Sequence, residues 1–567
     1  MSGVDSRGDS ERRSRLSPVW FWLAWSALAG TLFLRETGHF LNPQFWAEDA
    51  LVFFKQSLED GFLRSLVTPS SGYLHTFPRL VAGLALLFPP KSTPLIFNLA
   101  ACAAQMLPIF YLLSGRLRRY LPSPVMRVVA AAVYVAAPNS YETYVNLTNS
   151  QWNLTLAALL ALLADRPASR WIRGAELCML AVFAVTGPFG IVLLPCAALN
   201  LFERRRDAAR GWWIAMTGVL AAGAAAQLPL MLTAERVTAG VGPSVTLPQG
   251  LQIITTHAFY NALLGIGRMT EARWANDLAT NRGAQLLGLA VVGVLIAFVV
   301  LQRHRALGCL LYLSCVTITL SFLSPLNELD QWLAPNFAPR YYLYATLFVL
   351  YATILLCLRG GRLRWLGAAL ALLSLTVGIP GDFRYESQRL DTRWGDQVSV
   401  FESLPQGASL HIPVQPSPYV WFTLRKKTPG RNVPPLAGLH RLPGEPSYAL
   451  SRPTFRDRSG LQYVEFSGRV SGTREGEKKA SVWLVIDGRV YPPLVREIML
   501  GASSDDRSSS RHYTQFRHEV PLSDLRPGRN SVSLVLLARD GTGYVAGAEK
   551  EFSIVVDGLK LITTDVR

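Results

Sequence analysis

Long apolar runs separated by short polar breaks fill the first two-thirds of the chain, and alternating patterns replace them after about residue 381. The runs lie near 18–34, 93–114, 125–138, 152–165, 174–187, 188–202, 211–233, 285–302, 307–324, 340–358 and 365–380. Helices apolar all round must be buried in lipid or in protein, so the pattern predicts eleven membrane spans. Several runs are shorter than the roughly 20 residues that cross hydrocarbon. Such runs either tilt less or enter as broken helices lining a cavity. The apolar segment Pro78–Pro90 is shorter still and reads as re-entrant or interfacial.

Basic clusters stand between alternate runs: Arg116/Arg118/Arg119, Arg166/Arg170/Arg173, Arg204/Arg205/Arg206, Arg303/Arg305 and Arg359/Arg362/Arg364. A cytoplasmic N-terminus, marked by Arg12, Arg13 and Arg15, places every cluster on the cytoplasmic side of eleven spans. The C-terminus then lies outside. The charged start resembles a signal peptide, but no small-residue cleavage site follows the first run. Long loops fall on the outer side, near 35–92, 139–151, 234–284 and 325–339. Long ordered loops tend to carry function, so the working face is expected outside.

Composition agrees with this picture. Hydrophobic residues make up 50% of the 567 and charged residues 17%, with a mean hydropathy of +0.23. Soluble domains carry about 25% charged residues, and disorder or a small disulfide scaffold is excluded by the same figures. The net charge is +17, with 30 Lys and Arg against 18 Asp and Glu in residues 1–380. That excess sits in short loops rather than on a folded domain with interleaved aromatics, which argues against a nucleic-acid partner. All six cysteines lie in apolar runs without metal-ligand spacing, and the tail has none.

The tail, from 381, is rich in Pro, Gly and polar residues. Residues 381–445 read as a linker with short strands at 411–414 and 420–424. From 446 to 567, alternating stretches at 463–470, 480–486, 514–520, 531–537 and 551–556 predict strands. Turn signals at Asp487-Gly488, Pro527-Gly528 and Asp540-Gly541 separate them. Short strands without intervening helices predict an extracytoplasmic β-sandwich after an α-helical polytopic membrane domain of 1–380.

Residues able to do chemistry cluster in the outer loops. Trp46-Ala-Glu48-Asp49 follows the first span, and partial desolvation there makes a carboxylate a stronger base for a hydroxyl group. The competing reading is an acidic first turn of an interfacial helix after Pro43. Tyr73, His75 and Arg79 lie further along the same loop, and Glu142, Asn146, Asn149, Gln151 and Trp152 fill the second. Arg340-Tyr341-Tyr342 opens the tenth span, where Arg can hold a lipid phosphate in two parallel hydrogen bonds. Snorkelling Arg within an aromatic belt is the alternative there. His75 and His257 each have a purely structural alternative. Asn146-Leu-Thr148 and Asn153-Leu-Thr155 match a glycosylation pattern but sit at a membrane boundary. Thr186-Gly187-Pro188-Phe189-Gly190 reads as a tight outer turn.

Trp46-Ala-Glu-Asp49, Pro78-Arg79-Leu80, Asn149-Ser-Gln-Trp152, Thr186-Gly-Pro-Phe189 and Arg340-Tyr-Tyr342 resemble motifs of a bacterial branch of the C-type glycosyltransferase superfamily. The resemblance covers about residues 1–380. It implies a polytopic enzyme of the bacterial cytoplasmic membrane that takes a polyprenyl-phosphate-linked sugar donor. The acceptor would be a glycan, a lipid or a protein, with membrane lipid around the site. By the same resemblance Asp49 activates the acceptor, Glu48 supports it or contacts a metal, and Arg340 with Arg79 stabilises the departing phosphate. Tyr73, His75, Asn146, Asn149, Trp152, Tyr341 and Tyr342 would line the substrate pocket. No cofactor is implied with certainty, and two adjacent carboxylates leave a divalent cation open. Two competing functions are a flippase for a lipid-linked saccharide and a non-catalytic cell-envelope assembly protein. A transporter usually places ionisable residues within spans and shows internal repeats, and no repeat is visible here.

Overall fold

The computed structural model describes residues 17–234, 245–271, 273–323, 332–384, 391–392 and 394–403, and within the tail 409–415, 420–425, 440–441, 448–450, 454–458, 461–471, 481–486, 489–491, 495–497, 513–521, 528–537, 543–557 and 560–564. Arg12, Arg13, Arg15, Pro527 and the pairs Asp487-Gly488 and Asp540-Gly541 lie outside the described residues. The chain forms two compact units: Met1–Pro43 with Val52–Ser387, and Gln44–Leu51 with Gln388–Arg567.

In the first unit each of the eleven apolar runs is helical. Among the described residues, six helical stretches are long and apolar enough to cross a membrane: Pro90–Leu113, Arg210–Leu232, Arg282–Leu301, Arg305–Leu323, Pro339–Arg359 and Gly361–Asp382. Pro124–Ala136, Ser150–Leu163 and Phe189–Glu203 are shorter apolar helices. Thr76–Ala85, which overlaps the segment Pro78–Pro90 expected to be re-entrant or interfacial, has only 10 residues.

Ser150–Leu163 shows how a short helix is accommodated. Its 14 residues rise about 21 Å at roughly 1.5 Å each, well short of the roughly 30 Å of hydrocarbon. Every one of them is buried by neighbouring helices. The last carbonyls of a helix have no partner within it, and leaving them bare in apolar surroundings is costly. Here Asn200 Nδ2 donates to Leu162 O at 2.9 Å and Arg204 Nη2 to Leu163 O at 3.2 Å. Arg116 Nε donates to Asp165 O just beyond, at 2.6 Å. Cations also suit the negative end of a helix dipole. Arginines read from the sequence as topology markers are thus also helix caps.

A second polar node joins distant segments. The Asp382 carboxylate accepts backbone N–H groups from Asn139 at 2.8 Å, Ile266 at 2.8 Å and Gly267 at 2.9 Å. Arg35, also buried, donates to Val135 O at 2.6 Å, Ala137 O at 3.1 Å and Ser140 Oγ at 3.0 Å. Its guanidinium lies 4.5 Å from the Tyr144 ring centroid. Gly265, with φ +81°, lets Asp382 approach, because a Cβ there would stand 2.7 Å from Oδ1.

In the second unit the described strands fall in two sheets, of eight and five strands. Leu461–Ser471 pairs antiparallel with Tyr513–Pro521, and Gly528–Leu537 lies between Ser481–Ile486 and Gly543–Asp557. Buried residues recur at every second position: Leu410, Ile412 and Val414; Val464 and Phe466; Leu484 and Ile486. That period of two puts one face of each strand inward.

Candidate functional site

The first loop is held by a tight hairpin. Ser70 and Tyr73 exchange backbone hydrogen bonds of 3.0 and 3.2 Å across Ser71 and Gly72, both with positive φ. A two-residue turn of this hand matches the twist of paired strands, and Gly favours it. The strand that follows is tied to the Thr186 turn: Gly187 N–H donates to Leu74 O at 2.9 Å, and Phe77 N–H to Thr186 Oγ1 at 3.0 Å. Gln227 closes the arrangement, accepting Leu74 N–H at 2.8 Å and donating to Leu74 O and Gly187 O.

This frame gathers three of the expected site residues. The Tyr73 and His75 rings stand 4.5 Å apart, and Phe53 lies 5.2 Å from His75. The Arg79 guanidinium carbon is 5.7 Å from the Phe53 centroid. Arg79 is the fourth residue of the Thr76–Ala85 helix, where Pro78 in the first turn costs no hydrogen bond. Its side chain is 0% exposed, and Nε, Nη1 and Nη2 have no hydrogen-bond partner among the described residues. Burial lowers its pKa to about 10, which leaves it charged at neutral pH. A buried guanidinium is strongly unfavourable unless hydrogen bonds or an anion compensate it.

The residues of the 139–152 loop and of the helical stretch that begins at Pro339 form a separate group in the same unit. Arg340 makes an ion pair with Glu142. Asn146 donates to Glu142 O, Asn149 Nδ2 donates to the same oxygen at 2.8 Å, and Asn149 N–H donates to Asn146 Oδ1 at 2.8 Å. Trp152 sits among aromatics, its ring centroid 4.7 Å from Phe189, 5.5 Å from Tyr341 and 5.8 Å from Tyr344. Tyr342 turns into the core and stacks on His257 at 4.5 Å, while His257 Nε2 reaches Trp332 O at 3.0 Å. Burial lowers the His257 pKa to about 4, against a smaller opposing effect of that hydrogen bond. Asn146, Asn149 and Tyr342, expected to line a substrate pocket, thus have structural partners here. The turn Thr186–Phe189 links the groups, since a Cβ on Gly187 would fall 2.0 Å from Gln151 Oε1.

Glu48 and Asp49 belong to the second unit. Gln44 Nε2 donates to Asp391 Oδ1 at 3.1 Å, Phe45 meets Trp394 edge-on at 4.8 Å, and Ala47 N–H donates to Gln415 O at 2.6 Å. Ala47 then takes φ +39°, unusual for a residue with a side chain, and Asp49 N–H closes onto Trp46 O at 2.8 Å. Asp49 is 0% exposed, whereas Glu48 is half-buried, and Asp49 opens the π-helical turn Asp49–Phe54. An acidic first turn was the competing expectation, and the observed turn has that form with an added strained residue before it.

Among the described residues no three His, Cys, Asp or Glu side chains gather as a metal site. Sequence reading did not single out Gln227, Phe53 or Asp382. A lone Gln in an apolar span and a Phe one turn after an acid carry no spacing signal. No protein-family model, curated protein or solved structure matches the chain.

Proposed function

We propose that the chain is a membrane glycosyltransferase that moves a sugar from a polyprenyl-phosphate-linked donor to an extracytoplasmic glycan, lipid or protein acceptor. The observation that carries this reading is Arg79, a wholly buried guanidinium without a hydrogen-bond partner among the described residues. A donor phosphate supplies an anion for this guanidinium, and its negative charge grows as the bond to the sugar breaks. Stabilisation of that kind acts most strongly in the transition state. Arg340 is less suited to the task, because a phosphate would compete with Glu142 for it.

In the proposed displacement the acceptor oxygen forms a bond to the anomeric carbon as the carbon–oxygen bond to phosphate breaks. The acceptor proton passes to a carboxylate base, a role for which the motif resemblance offers Asp49, and the bonding pair leaves with the phosphate, for which Arg79 offers the cation. Backbone strain at Ala47 supports a functional role for the acidic turn, since strain tends to persist where a site requires it. Tyr73 and His75 flank the donor sugar. The tail is proposed as an extracytoplasmic β-sandwich, with the N-terminus cytoplasmic in a bacterial membrane.

The test is radiolabelled sugar transfer by membranes holding wild-type protein, Asp49→Asn or Arg79→Met at equal folded amounts. Loss of transfer in both variants is the expected result. Wild-type transfer undiminished by either change would overturn the assignment. Movement of a lipid-linked saccharide across vesicles, without transfer, would point to the flippase instead.

A further inference from the structure

At the basic end of the first unit an apolar slot of about 280 Å³ opens between helices. Its walls come from Pro124–Ala136, Ser150–Leu163, Arg305–Leu323 and Leu343–Arg359. Val125, Val129 and Leu358 line the slot and are themselves exposed, so it opens sideways toward whatever surrounds the helices. For scale, a dry cavity of about 150 Å³ is enough for benzene. The slot therefore has room for part of one hydrocarbon chain and little more.

The lining has one polar patch. Tyr120 and His304 face each other there, with ring centroids 6.0 Å apart. Arg119 lies over the Tyr120 ring, its guanidinium carbon 6.0 Å from the centroid. Burial lowers the His304 pKa, and the charge of nearby Arg359 adds to that shift. The other arginines around Tyr120 are already engaged: Arg305 with Glu203, and Arg204 with Asp165 and Asp207. Arg119 and Arg359 are exposed and have no carboxylate partner among the described residues. An apolar slot whose polar patch carries two uncommitted cations is complementary to one kind of molecule, an anionic amphiphile.

We infer that this slot is a binding site for a membrane phospholipid with an anionic headgroup, one chain between the helices and the phosphate on Arg119 and Arg359. The Tyr120 hydroxyl adds a hydrogen bond to the phosphate oxygens. The site is separate from Arg79 and independent of the proposed transferase reaction. Basic pockets between membrane helices recognise acidic lipids by this combination of groove and charge.

The test is native mass spectrometry of the full chain, purified in detergent and titrated with phosphatidylglycerol or chain-matched phosphatidylcholine. One phosphatidylglycerol should be retained in clear preference to phosphatidylcholine. Two arginines near a surface should account for a preference of about 30-fold, lost in Arg119→Gln/Arg359→Gln. Ala130→Phe, which fills the slot, should abolish retention of either lipid. Equal retention of the two lipids by wild type, or an undiminished preference in the double arginine variant, would overturn the assignment. The arginine positions are exposed, so that arm stands even if the filled variant fails to fold.

Discussion

Arg340 meets Glu142 twice: its guanidinium pairs with Oε1, and its own backbone N–H donates to Oε2 at 3.3 Å. The Glu142 backbone carbonyl receives Asn146 and Asn149 at the same time. One acidic residue therefore fastens the 139–153 loop to the start of the Pro339–Arg359 span. Half-exposed pairs are worth less than buried ones, but this pair also orders two loops. A double-mutant cycle of Glu142→Gln and Arg340→Gln, read by thermal unfolding in detergent, should show a coupling of about 1–2 kcal/mol. Additive effects of the two changes would mean that the pair does not organise the loops.

Asp382→Asn should unfold the first unit more readily than its small change in shape suggests. The carboxylate accepts three backbone N–H groups on its two oxygens. An amide offers one oxygen and turns an NH₂ toward at least one of those donors. Two donors facing each other in a buried site cost about 3 kcal/mol or more. The expected readout is a fall in unfolding temperature and in the yield of monodisperse protein. An unfolding temperature within a degree of wild type would contradict the geometry.

The pH dependence of stability should contain a step due to His257. Its folded pKa is depressed to about 4, while an unfolded imidazole titrates near 6.5. Between those values the unfolded chain binds a proton and the folded chain does not. Stability is therefore full above about 6.5 and falls as the pH drops toward 4, by about 3 kcal/mol at most. His257→Gln keeps a donor for Trp332 O and should flatten this part of the profile. An unchanged slope in that variant would remove His257 as the source.

The sequence made the helices legible because membrane runs are long, apolar and punctuated by arginine. The same pattern could not show that Arg116 and Arg204 close the end of Ser150–Leu163, since that contact depends on which helices become neighbours. Tyr73, His75 and Arg79 were legible as a cluster because one loop carries them in consecutive turns. Arg340 stands out in the sequence at the start of an apolar run, yet its bond to Glu142 spans 198 residues and leaves no local trace. Ala47 was invisible for another reason: nothing in the letters announces a left-handed alanine.

Gly187→Ala tests the turn that joins the two residue groups. Gly187 has φ +76°, a conformation that costs an L side chain about 1–2 kcal/mol. A Cβ would also displace the end of the Gln151 side chain. Gln151→Ala should relieve the second effect and leave the first. The double variant is therefore expected to recover part, not all, of the stability lost in Gly187→Ala. Complete recovery would show that the backbone carries no strain.

Arg79 separates stability from function most directly. Removing the partner of an ion pair destabilises, but removing a buried charge that has no partner relieves a penalty. Arg79→Met fills similar space with apolar atoms and should raise the unfolding temperature of donor-free protein, by an amount equivalent to about 1–4 kcal/mol. Arg340→Met, which strands Glu142, should lower it. If Arg79 is kept for an anionic ligand, a polyprenyl phosphate should stabilise wild type and leave Arg79→Met unmoved. Destabilisation by Arg79→Met without ligand would mean that the guanidinium is satisfied in the resting protein, and the case for a phosphate there would fail.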